Sequence, residues 1–234
     1  MDPHLLIENH SLVNLAMHYK ICRKCSRVRN LGPYSSSYQC DTCGSNEQYP
    51  NSFFDLNLLL MIDLMQDSYI TATSLVPASK DEPIPAEQAR LASVVVYFCT
   101  VKELMLHRFL SHLLDQFPLP VSFLEHWDKH YFTYSQRREK LLPALLGVNW
   151  EKLLTTLTAP NHDFPAMSAF LKKATDARDN LLHEGDHFDI DPNHARGCLE
   201  NLFPLMEFYA LLHNKYVHER RMDAIRRMAQ SPAS

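Results

Sequence analysis

Glycine is scarce, with five residues in a chain of 234. No glycine-rich phosphate loop can be assembled from the stretches that hold them, so nucleotide hydrolysis of the P-loop kind is excluded. Long apolar runs are missing as well: nowhere do about 18 uncharged apolar residues follow one another, as a bilayer-spanning helix requires. The opening stretch MDPHLLIENH has no basic segment leading into an apolar run, and a soluble, cytoplasmic protein with no membrane partner is expected. Positive charge is not in excess either. A net charge of -4 with His neutral argues against coating nucleic acid by bulk electrostatics, although it is compatible with a local basic cleft. No internal repeat is visible, and no strand pattern of any length occurs outside the cysteine region.

What is present is apolar content of 46%, enough to bury a sizeable core in one medium domain plus a small accessory module. The fold class read from the patterning is mainly α, a helical bundle preceded by a small zinc-ribbon module. Residues 3–19 carry apolar positions spaced as a helix face, and a second helical stretch covers about 53–68. The polar run VPASKDEPIPAE holds Pro77, Pro83 and Pro85 and reads as a linker. Residues 86–116 contain no Gly or Pro and are apolar almost all round through Val94–Cys99, as befits a central bundle helix. Shorter helices are expected over 120–158, broken at Pro143 and Gly147. Asp163 as N-cap, Pro165 in the first turn and Gly185 as the stop delimit a helix over 164–184. Asp191–Pro192 opens a last long helix that runs to about Met228, with a kink expected at Pro204. The division that follows is an N-terminal module over 1–76, a linker over 77–85, a helical domain over 86–229 and a disordered tail over 230–234.

Six cysteines in a chain expected in reducing cytosol are read as metal ligands rather than disulfides. Cys22-Arg-Lys-Cys25 and Cys40-Asp-Thr-Cys43 are two Cys-x2-Cys knuckles separated by fourteen residues, a spacing that lets four thiolates close on one Zn2+. Gly44 suits the turn after the second knuckle, and Tyr34–Gln39 with Gln48–Tyr49 is expected as a short hairpin. Four protein ligands leave no position for a catalytic water, so the zinc is structural and no catalytic metal is expected. Arg23, Lys24, Arg27 and Arg29 make the ribbon locally basic, either as a solvated face or as a guide for RNA. Cys99 and Cys198 stand alone in apolar surroundings and belong to the core.

The second constellation is Arg178-Asp179-Asn180-Leu181-Leu182-His183. Its spacing alone carries little, because 13 histidines make chance Arg-x4-His pairs common. Its context carries more. Met167, Phe170, Leu171, Ala174, Ala177, Leu181 and Leu182 form one arc of the helix, and Arg178 falls inside that arc, where a permanent charge needs a partner or a wet cleft. Asp179 and His183, four apart, are within reach of each other, so the carboxylate can orient the imidazole. Arg offers paired hydrogen bonds to phosphate and His a proton carrier near neutrality, a combination suited to RNA cleavage by the 2′-hydroxyl. A symmetric dimer would bring two copies of each residue into one cleft. The plainer alternative is a buried Arg178 paired with Glu103 on helix 86–116, and an exposed His183 at a helix end.

Arg178-Asp179-x3-His183 on the penultimate long helix, in a helical domain that opens with a long apolar helix carrying Glu103, resembles the HEPN superfamily. The stretch from Phe170 to Gly185 also reads like that family's Arg-Asn-hydrophobic-His-Gly segment, and the similarity covers about residues 86–229. Such a resemblance implies a metal-independent endoribonuclease with a composite site at a homodimer interface, of the kind found in toxins and anti-phage defence effectors. On it, Arg178 and His183 are catalytic, with Asp179 and Glu103 in support, and the partners are substrate RNA, a second copy of the chain and a neutralising or activating protein. A different reading is a non-catalytic helical adaptor that binds a protein or nucleic acid partner through the zinc ribbon.

Weaker features are Tyr134, Arg137 and Arg138, which could stack and hold RNA or simply pack between helices. His126 and His130 are four apart but lack the Glu of a His-Glu-x2-His site, and read as surface residues. Lys102 and His107 lie beside Glu103 on the central helix, where core ion pairing is the simpler role. The basic end from Lys215 to Arg227, which includes His218, suits either phosphate contacts or a helix C-terminus.

Overall fold

The computed structural model describes residues 11–32, 39–45, 53–74, 85–117, 129–184 and 190–230. The chain is mainly α-helical, with one two-stranded sheet among the described residues. It divides into two compact units, each built from three stretches: Met1–Ala16, Phe54–Leu104 and Ala159–Met206 in the first, and Met17–Phe53, Met105–Thr158 and Glu207–Ser234 in the second. The linker expected over 77–85 lies outside the described residues save for Pro85.

The first unit is built on α1 (Leu12–Met17), α2 (Leu56–Ser74), the first two thirds of α3 (Pro85–Leu114), α7 (Phe164–Glu184) and most of α8 (Pro192–His213). Helix α7 matches the expected bounds. Its start is fixed by Asp163, whose side-chain Oδ1 accepts from the Ala166 N–H at 2.9 Å. Asp191 does the same for α8, accepting from the His194 N–H at 2.6 Å, and in both cases the carboxylate satisfies an N–H that the helix cannot. Phe164, Met167, Leu171, Ala174 and Ala177 form the buried stripe of α7, spaced three and four apart as a helix face demands. Leu182, expected in that arc, is 62% exposed instead; it lies at the edge of the stripe in the last turn. Helix α8 passes close to α7 at Gly197, where a β-carbon would meet the Phe170 ring at 2.6 Å. Cys99 and Cys198 are both fully buried, as expected.

The second unit holds β1 (Tyr19–Ile21) paired antiparallel with β2 (Val28–Asn30), in the register Tyr19↔Asn30, Lys20↔Arg29 and Ile21↔Val28. This hairpin has the first knuckle as its turn. The hairpin expected over 34–39 and 48–49 lies outside the described residues save for Gln39, as do His126 and Gly185. Three short helices follow: α4 (Tyr134–Gln136), α5 (Leu142–Leu146) and α6 (Trp150–Thr156). A π-helical turn, Arg137–Leu141, joins the first two. It leads directly into Pro143, which has no N–H to give back and is accommodated where the turn widens. Gly147 ends α5 in the left-handed conformation at φ 71°. Helix α8 continues through Pro204 to His213. A second π-helical turn, Asn214–His218, then joins it to α9 (Glu219–Gln230). No helix among the described residues is long and apolar enough to cross a membrane.

Candidate metal centre and the Arg178 cluster

Cys22, Cys25, Cys40 and Cys43 come together with their ligand atoms all within 4.8 Å of one another. Sγ of Cys22 lies 3.7 Å from that of Cys43, and Sγ of Cys25 lies 3.6 Å from that of Cys40. A tetrahedron with zinc–thiolate bonds of about 2.3 Å has edges of about 3.8 Å, so the four sulfurs already stand at the spacing such an ion needs.

The two knuckles share one backbone design. In the first, the Ser26 N–H donates to the Cys22 carbonyl at 2.8 Å and the Cys22 N–H to the Arg27 carbonyl at 2.9 Å; in the second, Gly44 donates to Cys40 at 2.8 Å and Cys40 to Ser45 at 3.0 Å. The fifth residue is left-handed in both, Ser26 at φ 60° and Gly44 at φ 65°. Such turns aim backbone N–H groups at the sulfurs. Burial pushes the Cys25 thiol far up from its ordinary range. Burial acts in the same sense on Cys40, but the N–H groups of Cys43 and Thr42, together with the neighbouring thiols of Cys25 and Cys43, outweigh it and bring the thiol down to about 7. Donors directed at a thiolate are what a metal-binding thiolate requires.

The first knuckle is held from outside by the segment after α8. The Asn214 side chain takes both backbone groups of Val28, accepting from its N–H at 2.7 Å and donating to its carbonyl at 2.8 Å. His218, 4% exposed, places Nδ1 2.7 Å from the Cys25 carbonyl oxygen. Arg221 Nε donates to the Lys24 carbonyl at 2.9 Å, and Met222 packs on the cysteine cluster. In the sequence His218 belongs to a basic helix end, and Asn214 carries no signal of a role. The π-helical turn is what brings these two onto the hairpin, and helical periodicity does not announce such a turn.

The second cluster lies in the first unit. Arg178 NH1 donates to Glu103 Oε1 at 2.6 Å, and its Nε to Asp179 Oδ1 at 3.0 Å. Its side chain stays 20% exposed, against 39% for Glu103 and 46% for Asp179. Burial pulls the guanidinium down while Glu103 and Asp179 raise it, and the net shift is upward. Asp179, expected to orient His183, binds Arg178 instead. His183 is exposed in the last turn of α7. Glu103, Arg178 and Asp179 are therefore brought together, while His183 stands apart from their hydrogen bonds. One turn deeper, Lys102, 1% exposed, donates from Nζ to Thr175 Oγ1 at 2.5 Å, and Thr175 donates on to the Leu171 carbonyl at 2.7 Å.

Of the weaker features, Arg137 Nε donates to the Tyr131 carbonyl at 2.6 Å. Arg138 pairs with Glu139 at 2.5 Å and lies over the Tyr134 ring at 5.7 Å. Both arginines are engaged within their own segment. His130 is exposed. Comparison with protein-family models, curated proteins and solved structures finds no match for this chain.

Proposed function

We propose that this protein is a metal-independent endoribonuclease of the HEPN type, acting as a homodimer with Zn2+ held structurally by Cys22, Cys25, Cys40 and Cys43. Four thiolates favour zinc over harder ions and leave no open coordination position. The observation that supports the catalytic reading is Arg178. It is held in place by Glu103 and Asp179, remains part-exposed, and shares a helix with an exposed His183. A guanidinium has five N–H donors, and the two carboxylates leave some of them for a phosphate.

In the reaction, the RNA 2′-oxygen attacks phosphorus, the bond to the 5′-oxygen breaks, and the products end in a 2′,3′-cyclic phosphate and a 5′-hydroxyl. One group takes the 2′-proton and another protonates the leaving oxygen, with His183 of the two chains available for these roles. Arg178 of each chain stabilises the charged phosphorane. A toxin or anti-phage effector, neutralised or activated by a protein partner, is the biological form of this reading.

The second reading is a non-catalytic helical adaptor. It is favoured by the same ion pairs, because two carboxylates already bind Arg178 and oppose an incoming phosphate. The experiment that separates them is cleavage of a mixed RNA pool by wild type, Arg178→Ala and His183→Ala, with no added divalent metal. A strong chelator is avoided, since stripping zinc would unfold the knuckles and mimic a catalytic metal requirement. Cleavage by wild type and by neither folded variant is the expected result. Equal cleavage by all three removes this site from the mechanism, and silence of all three favours the adaptor.

A further inference from the structure

Beside the first knuckle, within the second unit, lies an open groove of about 390 Å³ walled by Arg27, Thr156, Thr158, Lys215, His218 and Glu219 among others. Its volume suits a small polar group. Its cations are under-matched. Arg27 stands 3.7 Å from Asp41, which it shares with Arg29 at the same distance. That is too long for a hydrogen bond, and the buried Nε of Arg27 has no hydrogen-bond partner among the described residues. Lys215 is half-buried and leans over the Tyr216 ring at 5.7 Å, with no carboxylate partner among the described residues. Glu219 is the one carboxylate in the wall, and it is exposed.

Two other grooves make the contrast. One is lined by Lys172, Lys173, Asp176 and His194, but its two lysines are exposed on the solvated side of α7. The other also touches His218 and sets two carboxylates, Glu219 and Asp223, against one cation, Arg226, so it would repel an anion. Of these three, the first sets half-buried cations around an Arg27 Nε that makes no hydrogen bond among the described residues. Arg27 is also positioned firmly, since its carbonyl closes the first knuckle and its neighbour Val28 is held by Asn214.

We propose that this groove binds a phosphate group, carried by a free nucleotide or by an RNA backbone, through Arg27 and Lys215. The guanidinium supplies a planar fork for two phosphate oxygens, the ammonium a point charge, and the Thr158 hydroxyl a further donor, since that of Thr156 is given to the Lys152 carbonyl at 2.7 Å. This assignment goes beyond the ribonuclease reading and stands without it, because binding here involves neither Arg178 nor His183.

The test is calorimetric titration of the zinc-loaded full chain with inorganic phosphate, adenosine monophosphate and a short RNA oligonucleotide. Saturable binding of at least one probe is expected. Arg27→Ala and Lys215→Ala should each weaken it roughly tenfold or more, the scale of one charge-assisted hydrogen bond. Lys215→Arg should retain it, and Lys172→Ala and Lys173→Ala should leave it unchanged. Tighter binding of RNA than of the monophosphate identifies the backbone as the source, and the reverse identifies a free nucleotide. If Arg27→Ala loses its zinc, Lys215→Ala alone decides. Absence of saturable binding, an unaltered Lys215→Ala, or equal losses at Lys172 and Lys173 overturns the proposal.

Discussion

His218 and Cys25 are 193 positions apart, yet the imidazole Nδ1 sits 2.7 Å from the cysteine's carbonyl oxygen. A carbonyl only accepts, so Nδ1 carries the hydrogen in this pair. The bond fixes the backbone of a cysteine that is itself a candidate metal ligand, as outer partners of metal sites commonly do. His218→Ala should leave that carbonyl unsatisfied in a buried place and cost about 1–3 kcal/mol. Release of zinc to a chromophoric chelator should be faster in the variant. An unchanged release rate would mean that the hairpin holds its own shape.

The repeated knuckle gives an internal control. Gly44 adopts φ 65° without penalty, whereas Ser26 adopts φ 60° with a β-carbon in place. A left-handed L-residue costs roughly 1–2 kcal/mol, part of which is offset by the greater freedom glycine has when unfolded. Ser26→Gly should therefore stabilise the protein by roughly 0.5–1 kcal/mol in denaturant melts. Ser26→Ala should give no such gain.

The features legible in the sequence are those written in local chemistry. Asp163 and Asp191 announced two helix starts, the apolar period of α7 announced its buried face, and the paired Cys-x2-Cys motifs announced the cysteine cluster. What was not legible is what long-range packing decides. Asn214 pairs with Val28 across 186 positions, and neither residue carries a local signal of it. The partner of Arg178 was legible in part: a charge on a buried stripe demanded a carboxylate, and Glu103 was the nearest candidate on the central helix. That Asp179 would turn to Arg178 and not to His183 is a matter of rotamers, which spacing does not fix.

The Arg178–Glu103 pair makes a stability prediction separate from any catalysis. Arg178→Ala would leave two carboxylates facing a part-buried space. The cost should be about 1–2 kcal/mol, below that of a fully buried pair because Glu103 is 39% exposed and water screens it. Arg178→Lys keeps the charge but loses the fork, and should fall between the two. In a double-mutant cycle with Glu103→Ala, a coupling near 1 kcal/mol is expected. Coupling near zero would show that solvent has already replaced the ion pair.

His213 gives the acid-side prediction. It is fully buried, with both ring nitrogens lacking a hydrogen bond among the described residues, and it packs against Phe53 and His112 with ring centroids 5.1 and 5.3 Å away. Burial, with smaller contributions from His112, His218 and Arg108, holds its pKa well below the ordinary 6.5. The unfolded chain thus takes up a proton near pH 6.5 that the folded chain refuses. The stability this group contributes is present above that pH and falls as pH drops, by up to about 1.4 kcal/mol per unit. His213→Phe should flatten the decline of unfolding free energy between pH 6.5 and 5.

The alkaline side runs in the opposite sense and rests on two tyrosines. Burial and the adjacent Glu207 carboxylate hold the Tyr19 hydroxyl, which donates to Glu207 at 2.7 Å, protonated well above its ordinary range. Burial does the same for the fully enclosed Tyr209. Their folded pKa values are raised, so the stabilisation is complete below the unfolded value of about 10 and is lost as pH rises past it. Tyrosinate absorbance from Tyr19 and Tyr209 should then appear in one step, together with loss of helical circular dichroism. In Tyr19→Phe this step should lose amplitude and move to higher pH, because one group no longer drives unfolding by releasing its proton. If Tyr19 ionises while the helices persist, its hydroxyl reaches solvent and the Glu207 bond is not what holds its proton.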